Sequence, residues 1–260
     1  MHTHKHIEKD SFRRAACAGI LNATSTIPDA IMCQLLGLNS SVPAGLGPFF
    51  DVFAERGGRT DEHKDGWGIA FHSGKRCRLY TDHRAAIDSP LAARIRRRPL
   101  RARNILAHIR KATQGRIAIE NVHPFARRLW GRTWCFAHNG DLKEFAPVPG
   151  RFAPQGDTDS EAAFCLLLSN LAARFPDGEP AAGTLRDALA DVAAGIAAHG
   201  TFNFILSNGE TLFAHCSTHL HYRLDEGRAM IATQPVDARE GWVAFASGEL
   251  KAFGSGTLHP

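Results

Sequence analysis

The chain has 260 residues, 44% of them apolar, and carries 31 Lys and Arg against 26 Asp and Glu for a formal charge of +5. That length buries a substantial core without help from metals or disulfides, and no apolar run is long enough to span a membrane. The six cysteines, at 17, 33, 77, 135, 165 and 216, form no C-x-x-C pair and no tight cluster, which argues against a structural zinc site or a disulfide framework and fits a reducing, cytoplasmic setting.

Residues 1–32 are polar and lack a core-like pattern. Arg13 and Arg14 precede "AACAGIL", but Asn22, Thr24, Ser25 and Thr26 break that run, so it does not read as an export signal. The stretch "DAIMCQLLG", Asp29 to Gly37, then sets Met-Cys directly ahead of an apolar run. Cys33 is thus either an ordinary strand cysteine or the first residue of the working protein. Leu46, Phe49, Phe50 and Phe53 recur at helical spacing, predicting a helix over Gly45 to Arg56 that Gly57 and Gly58 end. "WGIAFHS" and "RCRLYTD", separated by Gly74-Lys75, predict a hairpin. The basic run Arg94 to Arg103 has no interleaved aromatics and no recognition motif, so it reads as a solvated helix end and loop, and no nucleic-acid partner is expected.

"NILAHIR" and "RTWCFAH" are further strands, followed by helices over Thr158 to Phe175 and Thr184 to His199. Asn208-Gly209 joins "TFNFILS" to "TLFAHC" as a second hairpin, and "LHYRL", "RAMIAT", "GWVAF" and "ELKAF" continue as strands. Strands thus cluster on both sides of a helical pair, which predicts a single α+β domain with antiparallel sheets.

Four stretches carry more chemistry than propensity requires. In "AHIRKAT", His108 and Arg110 share one strand face while Ile105, Ala107 and Ile109 take the other. An Arg there needs an anion, and its planar fork suits a carboxylate or a structural ion pair. In "ENVHPFARR", His123 precedes Pro124, a rigid turn or strand edge. "CFAHNGDL" ends a strand at Asn139-Gly140, a common turn that is also a candidate oxyanion hole from a side-chain amide and a backbone N–H. "GDTDSEAAFCLLL" starts a helix with capping-box spacing between Thr158 and Glu161, placing Asp159 in the first turn, where an anion could bind an ammonium group.

Cys33, "DGWGIA" (65–70), "HIRKAT" (108–113), "NVHPF" (121–125), "HNG" (138–140) and "TDSE" (158–161) together resemble the class II glutamine amidotransferase domain, an N-terminal-nucleophile hydrolase, and most of all its small stand-alone YafJ-like branch. The resemblance runs from Met32 almost to the end. It implies an α+β four-layer αββα sandwich of two antiparallel sheets over 33–260. It also implies that residues 1–32 are an over-extended start or a propeptide absent from the mature protein. By the same resemblance Cys33 is the nucleophile, with its own α-amine as base. Arg110 takes the α-carboxylate of glutamine or another γ-glutamyl compound, and Asp159 its α-ammonium. Asn139 and Gly140 stabilise the oxyanion. His123, Thr113 and Trp67 line the substrate side, with Trp67 at the pocket floor. No cofactor is implied.

Three outcomes remain open at this level. The first is a glutaminase component passing ammonia to a separate subunit, since the chain leaves no room for a synthase domain. The second is a hydrolase of γ-glutamyl peptides or amines. The third is a non-catalytic glutamine sensor, against which the thiol at Cys33 argues. A metal site at His215, His219 and His221 in "HCSTHLHY" is sterically possible, but no carboxylate joins it, and no metal is expected. Cys77, Cys135, Cys165 and Cys216 read as packing residues.

Overall fold

The computed structural model describes residues 33–98, 100–112 and 115–260. The extension 1–32 and Thr113 therefore lie outside the described residues. Strands β1 (Gln34–Ala44), β2 (Trp67–Ser73), β3 (Arg76–Asp82), β4 (Ala102–Ile109), β9 (His221–Asp225), β10 (Arg228–Ala232) and β11 (Val243–Ala244) form one sheet in the order β11-β9-β10-β1-β4-β2-β3. Strands β5 (Phe125–Leu129), β6 (Arg132–Leu142), β7 (Gly200–Ser207), β8 (Thr211–Cys216), β12 (Glu249–Gly254) and β13 (Thr257–Leu258) form the other, in the order β13-β12-β8-β7-β6-β5. The ladders within both sheets are antiparallel. Helices α1 (Pro48–Glu55) and α2 (Pro90–Arg97) cover the outer face of the first sheet, while α3 (Asp159–Arg174) and α4 (Ala182–Ala197) cover that of the second. This is the four-layer αββα sandwich.

Alternation along the strands builds three apolar layers. Leu36, Leu38, Ile105, Ala107 and Ile109 point toward α1 and α2, and Trp134 and Phe136 toward α3 and α4. Leu35, Ala70, Leu106, Cys135, Ala137, Ile205 and Leu212 fill the space between the sheets. Gly37 belongs to that inner face. A Cβ there would lie 3.1 Å from Cδ1 of Ile205 and 3.2 Å from Cδ1 of Leu212, so the missing side chain sets how closely the sheets approach.

The structure corrects two local expectations. The first helix begins at Pro48, behind Gly47 at φ 51°, rather than at Gly45. Asn139-Gly140 is not a turn: β6 continues to Leu142, with Asn139 opposite Asn203 and Gly140 opposite Phe202. A Cβ on Gly140 would lie 1.8 Å from the carbonyl oxygen of Thr201, so glycine is required by the neighbouring strand. Gly140→Ala is expected to lower stability by about 1–3 kcal/mol, the usual cost of overpacking. A urea midpoint equal to that of the wild type would contradict this reading.

Candidate active site

Cys33 precedes β1 and, by the alternation that sends Leu35 inward, faces the space between the sheets. It is partly exposed. Its Sγ accepts the Lys111 backbone N–H at 3.2 Å and lies 3.3 Å from the Lys111 carbonyl oxygen. Burial pushes the thiol up to about 11, against the lowering effects of the Lys111 N–H and of the nearby Arg110 charge. Asp159 acts in the opposite sense to Arg110. One fixed cation and one fixed anion therefore both act on this sulfur.

Arg110 is 3% exposed and directly follows β4. Its Nη1 donates to the Arg116 carbonyl at 3.3 Å and its Nη2 to the Gly115 carbonyl at 3.5 Å. The "DG" of "DGWGIA" fixes the backbone here. Arg110 N–H donates to the Gly66 carbonyl at 2.8 Å, and the Asp65 carboxylate accepts the Ala112 N–H at 2.8 Å. Gly66, at φ 112°, holds a conformation that L side chains rarely adopt.

Asp159 opens α3. Its carboxylate accepts the Leu142 N–H at 2.9 Å and the Ser160 N–H at 2.8 Å, joining the end of β6 to the helix start. A carboxylate has about four acceptor positions, so room remains for a substrate ammonium. The expected capping box is half present. Thr158 accepts the Glu161 N–H at 3.2 Å. Glu161 instead reaches the N–H groups of Gln155 and Gly156 at 3.0 and 2.7 Å and the Arg127 guanidinium at 2.5 Å. This buried ion pair ties down the loop leading into Asp159.

Asn139 projects from β6 toward the first sheet, on the face of Cys135 and Ala137. Its Nδ2 donates to Oγ1 of Thr233 at a long 3.3 Å, its backbone carbonyl accepts from Asn203 at 3.1 Å, and its buried Oδ1 has no partner. Thr233 Oγ1 also accepts the Leu35 N–H at 3.0 Å. Thr233 thus links the strand that follows Cys33 to the amide of Asn139.

His123 stands against His108, their facing ring nitrogens 3.0 Å apart. The outer nitrogens, Nδ1 of His108 and Nε2 of His123, have no hydrogen-bond partner. Burial holds both rings well below the usual histidine range, reinforced at His108 by His138 and Arg110 and at His123 by His108. Trp67 is not brought to this group. It lies on the opposite face of the first sheet, buried beside α1 with its ring centroid 5.9 Å from that of Phe50.

Residues to which the sequence reading gave no individual role hold the site in place. Asn121 accepts the Asp157 N–H at 3.1 Å and donates to the Arg116 carbonyl at 2.9 Å. It thereby joins the loop around Arg110 to the one entering α3. His138 binds the Thr201 carbonyl through Nε2 at 3.0 Å, so its Nδ1 accepts from the Ser160 hydroxyl at 2.8 Å. The chain separations, 36 residues for Asn121 to Asp157 and 94 for Asn139 to Thr233, explain why the motifs containing these residues do not show their contacts.

Burial also lowers His138 and His215. With His108 and His123, the folded state thus keeps four described histidines neutral where the unfolded chain protonates near pH 6.5. Stability is therefore full above that pH and lost as pH falls below it, until the folded-state values are reached. Each such ring adds a slope of up to about 1.4 kcal/mol per pH unit. Denaturation midpoints measured from pH 7.5 to 5 should fall, and less steeply in His123→Phe. A flat profile for the wild type would refute the assignment.

The histidines of "HCSTHLHY" do not converge on one point. His215 bonds the Phe202 carbonyl at 2.7 Å and His221 the Thr233 carbonyl at 3.0 Å. Among the described residues, no helix is long and apolar enough to cross a membrane.

The family model for class II glutamine amidotransferases matches residues 32–227. A Haemophilus influenzae protein is 42% identical over 87% of this chain and 85% of its own length. The Escherichia coli protein YafJ is 38% identical over 85% of this chain and 97% of its own. Both are named "putative glutamine amidotransferase". The crystal structure of a "predicted glutamine amidotransferase" from Pseudomonas aeruginosa superposes with a TM-score of 0.68 at 34% identity, covering 87% of this chain and 99% of that one. A glutamine phosphoribosylpyrophosphate amidotransferase from B. subtilis shares the fold alone, with a TM-score of 0.63 at 15% identity over 87% of this chain and 48% of that one.

Proposed function

The chain belongs to the class II glutamine amidotransferases, and from that premise we propose that it cleaves a γ-glutamyl amide, glutamine in the first instance, through a thioester on Cys33. The observation that carries this reading is the seating of the Cys33 sulfur on the Lys111 backbone, next in the chain to the buried Arg110, with the anchored Asp159 carboxylate close enough to act on its charge in the sense opposite to Arg110. A zwitterionic amino-acid head needs one fixed cation and one fixed anion, and these two lie beside a nucleophile.

Arg110 holds the α-carboxylate and Asp159 the α-ammonium, which presents the side-chain amide to Cys33. The thiol proton passes to the α-amine of Cys33 as sulfur attacks the carbonyl carbon. The Asn139 amide and the Gly140 N–H then stabilise the oxyanion. The α-amine returns that proton to the amide nitrogen, which leaves as ammonia when the intermediate collapses to a γ-glutamyl thioester. Water hydrolyses the thioester to glutamate and restores the thiol. The α-amine exists only once residues 1–32 are absent, so the active form begins at Cys33. The ammonia leaves to solvent or to a separate acceptor subunit.

The test treats protein beginning at Cys33 with a glutamine analogue bearing an electrophilic ketone in place of the amide. Peptide mapping should find one adduct, on Cys33, and glutamine should protect against it. Parallel assays of glutamine and γ-glutamyl dipeptides identify the leaving group. Labelling elsewhere, or no release of glutamate from any γ-glutamyl compound, would remove the proposal.

A further inference from the structure

A second cluster of reactive side chains lies between the sheets, away from Cys33. His72 on β2 and Cys77 on β3 face each other across the edge hairpin of the first sheet, and Cys135 comes from β6 of the second. One ligand atom from each lies within 4.8 Å of the other two. His72 is 1% exposed, and neither ring nitrogen has a hydrogen-bond partner. Leaving a buried imidazole without an oxygen or nitrogen partner is costly, and its weak contact with the Cys77 sulfur offsets that only in part. Gly209 closes the cluster on one side, where a Cβ would lie 3.1 Å from Nδ1 of His72.

We propose that His72, Cys77 and Cys135 bind a thiophilic d10 cation of the Zn2+ type, clamping the β2–β3 hairpin of one sheet to β6 of the other. The two sulfurs are 3.4 Å apart, against about 3.8 Å for two thiolates on one tetrahedral zinc with bonds near 2.3 Å. A shift of a few tenths of an ångström completes the geometry. Binding forms two Zn–S bonds and one Zn–N bond and releases the two thiol protons to solvent. The dication with two thiolates and a neutral imidazole carries no net charge, as a buried site requires. Cys77 is partly exposed, which gives the ion an entry path and leaves a fourth position for water. This assignment departs from the sequence reading of Cys77 and Cys135 as packing residues. Sequence spacing could not show it, because the two are 58 residues apart.

Titration of the full reduced chain with Co2+ tests the site. One equivalent should give a thiolate-to-cobalt charge-transfer band and the visible bands of tetrahedral cobalt, and Zn2+ should bleach both. Cys77→Ser, at the partly exposed position, and Cys135→Ser should each weaken binding beyond the roughly 10–100-fold that outer-shell changes cost, while Cys33→Ala should retain the spectrum. His2, His4 and His6 near the chain start offer no thiolate and so cannot produce the charge-transfer band. The absence of that band in folded wild-type protein would overturn the proposal. So would its survival in Cys77→Ser, or a Cys77–Cys135 disulfide found by mass spectrometry in protein kept reduced.

Discussion

Protein that begins at Cys33 is expected to turn over its γ-glutamyl substrate about 10²–10⁴ times faster than protein that keeps residues 1–32, the usual worth of a general base. The reason lies in the thiol. Burial places it near 11, so at pH 7 only on the order of one thiol in 10⁴ is ionised without help. The Lys111 N–H and the Arg110 charge favour the thiolate but do not overcome burial. A proton acceptor must therefore sit beside the sulfur, and the candidate is the α-amine of Cys33, with a reference pKa near 8. While Met32 remains attached, that nitrogen is an amide and accepts no proton. The two forms should be assayed side by side for glutamate release, with intact masses recorded before and after. Both should melt at similar temperatures, and the rate of the short form should rise with pH toward 8 as its amine deprotonates. Equal rates from two verified N-termini would sink the N-terminal-amine mechanism.

Asn139→Ala should lower kcat by about 10²–10³, or about 3–4 kcal/mol of barrier, while leaving KM for the γ-glutamyl compound nearly unchanged. Asn139 does not touch the groups assigned to the amino-acid head, which are Arg110 and Asp159. Its Nδ2 makes only the long bond to Thr233 and is free to shorten toward a developing oxyanion. The substitution also removes a buried Oδ1 that has no partner, which limits the structural cost. Thr233→Val provides the comparison. It leaves the amide in place but removes its tether and the acceptor of the Leu35 N–H, so a smaller loss in kcat is expected. A loss of binding in Asn139→Ala with normal turnover of bound substrate would contradict the oxyanion role.

Where local chemistry dictates local shape, the sequence was sufficient. Gly74-Lys75 marked the β2–β3 hairpin to the residue, and Thr158 marked the start of α3. The period-two pattern of "NILAHIR" placed His108 and Arg110 on one face and the isoleucines on the other, as the layered core bears out. What failed were inferences that need a neighbour. Asn-Gly favours turns in isolation, yet Asn139-Gly140 lies within a strand because β7 pairs with it there. Glu161 has the spacing of a capping box, but Arg127 and the loop N–H groups compete successfully for its carboxylate. Thr233 follows an unremarkable strand and becomes significant only when two sheets meet.

The site is divided between those sheets. Cys33 and Arg110 adjoin strands of one, while Asn139, Gly140 and, through its bond to Leu142, Asp159 belong with the other. The groups proposed to react are thus two halves of a caliper whose jaws are set by the contact beneath them. Gly37, pressed between Ile205 and Leu212, acts as its adjusting screw. A misplacement of about 1 Å costs on the order of 10²-fold in rate, so kcat becomes a gauge of the spacing between layers. Widening it with Gly37→Ala should slow turnover even where the protein still folds, and compensating truncation at Leu212 should restore it.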